Sequence, residues 1–429
     1  LRKKVLVRAP VLTRSGYGEH GRLVLRALRK REDIFDIYIL PTSWGETGWS
    51  VENTDERRWI DDQVRKTSVY TNSDQNGSPS FDMSIQVTIP NEWDPAPAPV
   101  NIGVTAGIET TQVAPVWLER ANLMSKIITI SEHSKNVFLR TSYQGNNKQT
   151  GQPMELTCNT PIDIVHYPVK EYDELPDLGI NLEHDFNYLA VAQMGPRKNL
   201  ENTIRWFIEE NFDQEVGLVV KTFIKNNSVV DREFTEHTLR NITSAFPDRK
   251  CKIHLIHGDM TDAEMHALYK HPQIKCLVSM THGEGFGLPL FEAAYSGLPV
   301  IAPGWSGQCD FLYAPLKAKK GKGKKKLKHP YFAEVEYDIS PIQEHAVWEG
   351  VLQKDSMWCY PKEGSYKMKL RQVRKNYGKW KKKAETLQKW IHKNFKEEEL
   401  YEKFINLIHD EEKYELEGWL ENLKVQVHE

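Results

Sequence analysis

The sequence predicts an α/β protein of two Rossmann-like domains facing each other across a cleft. Three observations predict it. The chain has 429 residues, which suits two domains better than one. Short apolar runs alternate with helical stretches twice, once in each half. Between the two series lies Glu171–Glu183, acidic and interrupted by Pro176, which reads as an interdomain linker. The expected layout is a first domain over 1–175 and a second over 184–365, the latter with a lysine-rich loop at 317–328. Helices over 366–429 are expected to pack back on the first domain.

In the first half, Val5-Leu6-Val7 is a strand, Arg14–Gly18 a turn, and Leu23, Leu25, Ala27 and Leu28 mark a helix. Ile34–Leu40, Met83–Ile89, Val100–Val104 and Lys126–Ile130 read as further strands. Ser131 is placed to cap a helix through Val137 and Phe138. Residues 141–160 are polar and read as a surface loop. In the second half, Tyr188–Ala192, Val216–Phe223, Lys252–Ile256, Lys275–Ser279 and Pro299–Ala302 read as strands. Leu200–Phe212 and Leu290–Ser296 read as helices between them. Ser365–Val425 has the Lys, Glu, Leu and Trp content of long amphipathic helices.

Composition excludes little. The formal net charge is −2, so overall charge does not point to a nucleic acid or a membrane. No apolar run approaches the roughly 20 residues that span a bilayer, and Leu1-Arg2-Lys3-Lys4 leads into a strand, not a signal peptide. The five cysteines are scattered and odd in number, with no C-x-x-C pair. A reducing compartment fits them, so the expected location is cytoplasmic, the host cytoplasm if the chain is viral. No metal site is expected.

The strongest motif is Thr281-His282-Gly283-Glu284-Gly285-Phe286-Gly287-Leu288-Pro289-Leu290-Phe291-Glu292. Three glycines surround one acid after a buried strand, and a second acid follows on a helix. Glycines at 283, 285 and 287 expose backbone N–H groups and leave room for a ligand. Glu284 falls at the carboxyl edge of the sheet, where open α/β sheets bind ligands. Glu292 follows a little over two helical turns later, so both acids can line one cleft. Carboxylates there suit the hydroxyls of a polyol, which donate hydrogen bonds.

This segment, with Ala293-Ala294-Tyr295-Ser296-Gly297-Leu298-Pro299-Val300-Ile301-Ala302 after it, resembles the retaining glycosyltransferases of family 4. Their hallmark is two glutamates separated by seven residues, present here as Glu284 and Glu292. The resemblance implies the GT-B fold and a nucleotide-sugar co-substrate, with a UDP-sugar favoured over a GDP-sugar and no other cofactor. It implies that Glu284 contacts the donor sugar and Glu292 the nucleotide ribose. It also implies that the Gly285-Phe286-Gly287-Leu288 backbone lies near the diphosphate and sugar.

Other motifs extend this reading. Gln193-Met194-Gly195-Pro196-Arg197-Lys198-Asn199 puts two cations at a strand-to-helix turn, a place that suits a diphosphate. Lys198 fits the family's lysine. The family's usual Gly-Arg pair reads Ala192-Gln193 here, and Arg197 or Lys221 is the replacement charge. Gly16-Tyr17-Gly18-Glu19-His20-Gly21 has the G-x-G-x-x-G form. A dinucleotide site also needs an acid closing the second strand, but that strand ends Ile39-Leu40-Pro41-Thr42-Ser43. An ordinary tight turn and a loop contacting a phosphate or the acceptor both stay open, with Gly16 and Gly18 as donor-binding candidates. Glu109 stands where many relatives have a histidine and is the candidate acceptor base. His133, in Ser131-Glu132-His133-Ser134-Lys135, reads as a structural or capping residue.

The chain has no Walker A, H-E-x-x-H, G-x-S-x-G or Asp-x-Asp sequence. The expected chemistry is therefore retaining, metal-independent glycosyl transfer, with Glu284, Lys198 and Glu109 as the catalytic candidates. For the acceptor, Lys317–Lys328 carries eight lysines in twelve residues. It reads either as a solvated loop or as a tracker of a polyanion backbone through Lys319, Lys320, Lys322, Lys324, Lys325 and Lys326. Gln86–Trp93 and Gly103–Thr111 resemble family-4 proteins of large tailed phages, which implies double-stranded DNA carrying 5-hydroxymethyl-pyrimidines as the favoured acceptor. A carbohydrate or lipid-linked glycan is the alternative. No basic amphipathic helix stands near the N-terminus to favour a lipid, and no integral membrane association is expected. From another class, a non-catalytic nucleic-acid-binding protein with an inherited GT-B fold stays open.

Overall fold

The structure is a computed structural model and describes residues 2–73, 80–146, 151–316 and 327–409. Its first half holds a six-stranded parallel sheet. From edge to edge the order is Phe35–Pro41, Lys3–Ala9, Met83–Val87, Val100–Thr105, Lys126–Thr129 and Ile162–Ile164. The second half holds another six-stranded parallel sheet, ordered Lys252–Ile256, Gly217–Lys221, Asn187–Val191, Ile274–Val278, Val300–Pro303 and Ala333–Val335. Numbered by first appearance, the second sheet runs 3-2-1-4-5-6, the doubly wound order. Its switch point lies between Asn187–Val191 and Ile274–Val278, where the carboxyl ends open a crevice.

Both sheets are parallel because helices cover both faces, so the strands read as continuous apolar runs. Leu189, Val219 and Val220 are fully buried, as are Val5, Val7 and Ile85 in the other half. The helix Gly16–Arg29 buries Leu23, Val24, Ala27 and Leu28 along one stripe, with Ser15 as its N-cap. Residues 141–160 depart from the surface-loop expectation, because Tyr143–Asn146 pairs antiparallel with Pro153–Leu156. That ribbon buries almost nothing, so no apolar alternation marks it.

Helix Glu363–Lys375 packs on Leu200–Asn211, and Tyr377–Asn394 packs on Leu288–Tyr295. Helix Glu397–Ile408 lies against Gly16–Arg29 of the first half, and the Leu407 carbonyl accepts from Lys126 Nζ at 2.9 Å. An aromatic cluster ties the halves together: Phe286 lies 5.3 Å from Tyr167 and 5.1 Å from Phe291, and Phe291 lies 5.3 Å from Phe395. No described helix is long and apolar enough to cross a membrane.

Candidate active site

Two loops at the switch point build the site. Thr281–Gly287 follows the strand Ile274–Val278 and feeds the helix Leu288–Tyr295. Gly287 turns the chain there with φ +93°, a left-handed conformation that a side chain resists, and Pro289 fits the first helical turn. The other loop follows Asn187–Val191 and carries Arg197 and Lys198 in a single helical turn before Leu200–Asn211. Asn199 locks the loops together by donating from Nδ2 to the Met280 carbonyl at 3.0 Å, and His282 N–H donates to the Arg197 carbonyl at 2.8 Å.

Glu284 is buried at the junction. Its backbone N–H donates to Ser306 Oγ at 2.8 Å. Lys198 Nζ lies 2.7 Å from each carboxylate oxygen, and Arg197 reaches Oε2 at 3.2 Å. The same guanidinium donates to the Gly283 carbonyl at 2.7 Å and meets Glu109 Oε1, from the first half, at 3.2 Å. Two cations and two carboxylates thus form one connected network across the cleft. Burial raises the Glu284 carboxyl, but Lys198 and Arg197 outweigh it and hold the group below its ordinary value. Burial and then Arg197 lower the Lys198 ammonium, and Glu284 only partly offsets them.

The glycine-rich loop meets the first half at the backbone and Cβ atoms of Ala106 and Glu109. A Cβ on Gly283 would stand 2.7 Å from the Glu109 carbonyl oxygen, so a larger residue would force the halves apart. Trp305 closes one side, donating from its indole N–H to the same carbonyl at 3.3 Å. The Phe286 side chain is turned into the aromatic cluster, which leaves its backbone as the part that faces the loop.

Glu292 belongs to a neighbouring set. It accepts from the Tyr269 hydroxyl at 2.8 Å. Burial pushes its carboxyl up to about 7, against the pull of Tyr269 and Lys170. Lys170 bridges the halves, with Nζ at 2.8 Å from Glu19 and 2.6 Å from Asp262. Lys221 takes a third place, donating to the Gly258 carbonyl at 2.7 Å. Beside it, Arg14 from the first half reaches the Met260 carbonyl at 3.2 Å and Asp259 at 3.7 Å. Gly16 and Gly18 sit in the first turn of Gly16–Arg29; Gly18 N–H donates to Ser15 Oγ and the Gly16 carbonyl accepts from Tyr167. Leu288 opens its helix, partly buried against the core.

The structure therefore joins Arg197, Lys198, Gly283, Glu284 and Glu109, while Glu292 and Lys221 lie in separate networks. Sequence reasoning missed Arg14, Lys170, Tyr269 and Trp305. A capping box at Thr261 and Glu264 precedes Tyr269 and was a readable helix signal. Nothing in the sequence tells which partners Arg14 or Lys170 would meet in the other half. The nucleic-acid candidates Lys319, Lys320, Lys322, Lys324, Lys325 and Lys326 lie outside the described residues. Among the described residues, no group of three or more His, Cys, Asp or Glu is placed to hold a metal ion.

Comparison with solved structures finds the same architecture. A glycosyltransferase from Rickettsia africae is 12% identical and superposes with a TM-score of 0.59, covering 95% of this chain and 97% of its own. Sucrose-phosphate synthase from Thermosynechococcus elongatus is 11% identical, with a TM-score of 0.59 and 95% and 98% covered. HepE from Anabaena, solved with UDP and glucose, is 11% identical with a TM-score of 0.54, and 95% and 99% are covered. The chain thus has the GT-B fold. No family model matches it, and no curated protein matches its sequence.

Proposed function

We propose that this chain is a retaining glycosyltransferase that moves a sugar from a nucleotide sugar, a UDP-sugar first among candidates, to an acceptor hydroxyl. The observation that carries the reading is Glu284 gripped by Lys198 and Arg197 at the mouth of the Gly283–Gly287 loop. HepE, of the same fold, was solved with UDP-glucose as well as with UDP and glucose. An entering diphosphate competes with Glu284 for the two cations. Once they turn to phosphate oxygens, the Glu284 carboxylate is free to accept from sugar hydroxyls. Glu292 accepts from the ribose hydroxyls. As the bond from the anomeric carbon to the diphosphate breaks, charge grows on the leaving oxygen. Lys198, Arg197 and backbone N–H groups stabilise that charge most in the transition state. The acceptor hydroxyl attacks from the leaving-group face, its proton passes to the departing phosphate oxygen, and configuration is retained. Metal independence is supported by the pairing of Arg197 and Lys198 beside the glycine-rich loop and by the lack of an Asp-x-Asp sequence.

The acceptor we favour is 5-hydroxymethyl-pyrimidine DNA, on the strength of the lysine run Lys317–Lys328. The test is mass spectrometry of plain and hydroxymethylated duplex DNA after incubation with the protein and a panel of nucleotide sugars. A sugar-sized mass gain on modified DNA alone is expected. Nucleotide release that glycans promote and DNA does not would overturn the DNA acceptor but keep the transferase.

A further inference from the structure

His133 opens the helix Glu132–Arg140, on the wall of the cleft that belongs to the first half. Its ring stands edge-on to Trp305 of the second half, with centroids 5.0 Å apart. Trp305 in turn donates to the Glu109 carbonyl, and its neighbour Ser306 holds the Glu284 backbone. His133 is thus one aromatic ring away from the Glu284 network. The carbonyls of Thr110 and Ile108 face the imidazole as acceptors, while Nε2 is buried with no hydrogen-bond partner among the described residues. We place the proton on Nδ1, which leaves Nε2 with an unused lone pair. Buried polar atoms are nearly always satisfied, so such an orphan points to a missing donor. Burial also holds this imidazole down at about 4, which keeps it neutral at pH 7 and makes it an acceptor of hydrogen bonds and a poor proton sink. Asp310 steadies the segment, accepting from Glu132 N–H at 2.8 Å and meeting His166 Nε2 at 2.9 Å.

We propose that His133 binds the attacking hydroxyl: Nε2 accepts its hydrogen bond and aims the oxygen at the sugar held by Glu284. This rests on the glycosyltransferase reading above. The oxygen forms the new bond to the anomeric carbon while the bond to the diphosphate breaks. The proton ends on the departing phosphate oxygen, and His133 is unchanged at the end. The structural role suggested by sequence is then only half of what the residue does.

The test uses water and glycerol as the hydroxyl probes, with the UDP-sugar that the wild-type protein hydrolyses best. His133→Ala should lower UDP release with both probes by about tenfold or more, the loss expected for one hydrogen bond in the transition state. UDP affinity by calorimetry should stay within about twofold of wild type, because the donor is held by the other wall. His133→Gln, whose amide oxygen can accept in place of Nε2, should recover part of the rate. A His133→Ala protein at wild-type rate overturns the proposal, as does a loss of UDP affinity that matches the loss of rate, or a His133→Gln protein as slow as His133→Ala. A wild-type protein that releases no nucleotide from any nucleotide sugar sinks the transferase reading itself.

Discussion

Glu284 is an acid with both oxygens already engaged, and its chemistry follows from that. A carboxylate this buried survives as an anion only because Lys198 and Arg197 face it. The spacing of Gly283, Glu284, Gly285 and Gly287 is visible in the sequence, and so is the acid pair Glu284 and Glu292. What spacing does not carry is the partnering: that Lys198 turns to Glu284, that Glu109 crosses from the other half, and that Glu292 faces Tyr269. Those depend on how two sheets meet, and no local pattern encodes it. Glu292 yields a residue-scale prediction. Its carboxyl lies near 7 because burial disfavours the anion, whereas ribose hydroxyls donate best to the anion. UDP affinity should therefore rise as pH increases from 6 to 8, and Glu292→Gln should flatten that rise. Parallel calorimetric titrations of the two proteins check it, and identical slopes would remove Glu292 from the nucleotide site.

At the scale of elements, legibility follows burial. Strands buried on both faces stand out as apolar runs, so five strands of each parallel sheet can be read from sequence within a residue or two, while the three-residue edge strands Ile162–Ile164 and Ala333–Val335 are too short to show a run. Helix Asp55–Ser73 cannot be read, because it buries little beyond Ile60 and Thr67 and is otherwise polar. Helix Val229–Thr243 misleads outright: it buries Asp231 and Thr235 while exposing Val229, Val230 and Phe234. Its Asp231 is spent on the loop before it, accepting from Lys225 N–H at 2.8 Å and meeting His257 at 3.0 Å. The element that matters most for the site is Asp262–Lys270, which presents Asp262 to Lys170 and Tyr269 to Glu292. Thr261 caps it, accepting from Glu264 N–H at 3.1 Å while Glu264 returns the bond at 2.7 Å. Thr261→Ala should cost about 1 kcal/mol of stability, read from denaturant unfolding. An unchanged midpoint would show that the cap contributes nothing.

Across the whole molecule, histidines held below their ordinary value set much of the response to acid. Burial holds His20, His133 and His266 down at about 4, against an ordinary 6.5. In the unfolded chain each takes a proton below about 6.5; in the folded chain each refuses one until about 4. Their stabilisation is complete above 6.5 and is lost as pH falls through that window. Glu292 acts in the opposite sense, since its folded carboxyl keeps a proton up to about 7 and the unfolded one releases it near 4.5. Burial lowers His254 and His282 as well, and raises Glu92 as it does Glu292; five groups outweigh two, so the thermal midpoint should fall by several degrees from pH 7 to pH 5. A midpoint that rises over that range would contradict the burial of these rings. The halves are also joined by charge pairs, including Arg197–Glu109 at 3.2 Å and Lys225–Glu46 at 2.9 Å.

The most direct test of the central claim is nucleotide release from a panel of UDP- and GDP-sugars by the wild-type protein and by Glu284→Ala. The wild type should turn over at least one donor, and Glu284→Ala should lose about 100-fold or more of that rate while unfolding cooperatively like the wild type. Wild-type turnover by Glu284→Ala, or no release by the wild type from any donor, would contradict the account.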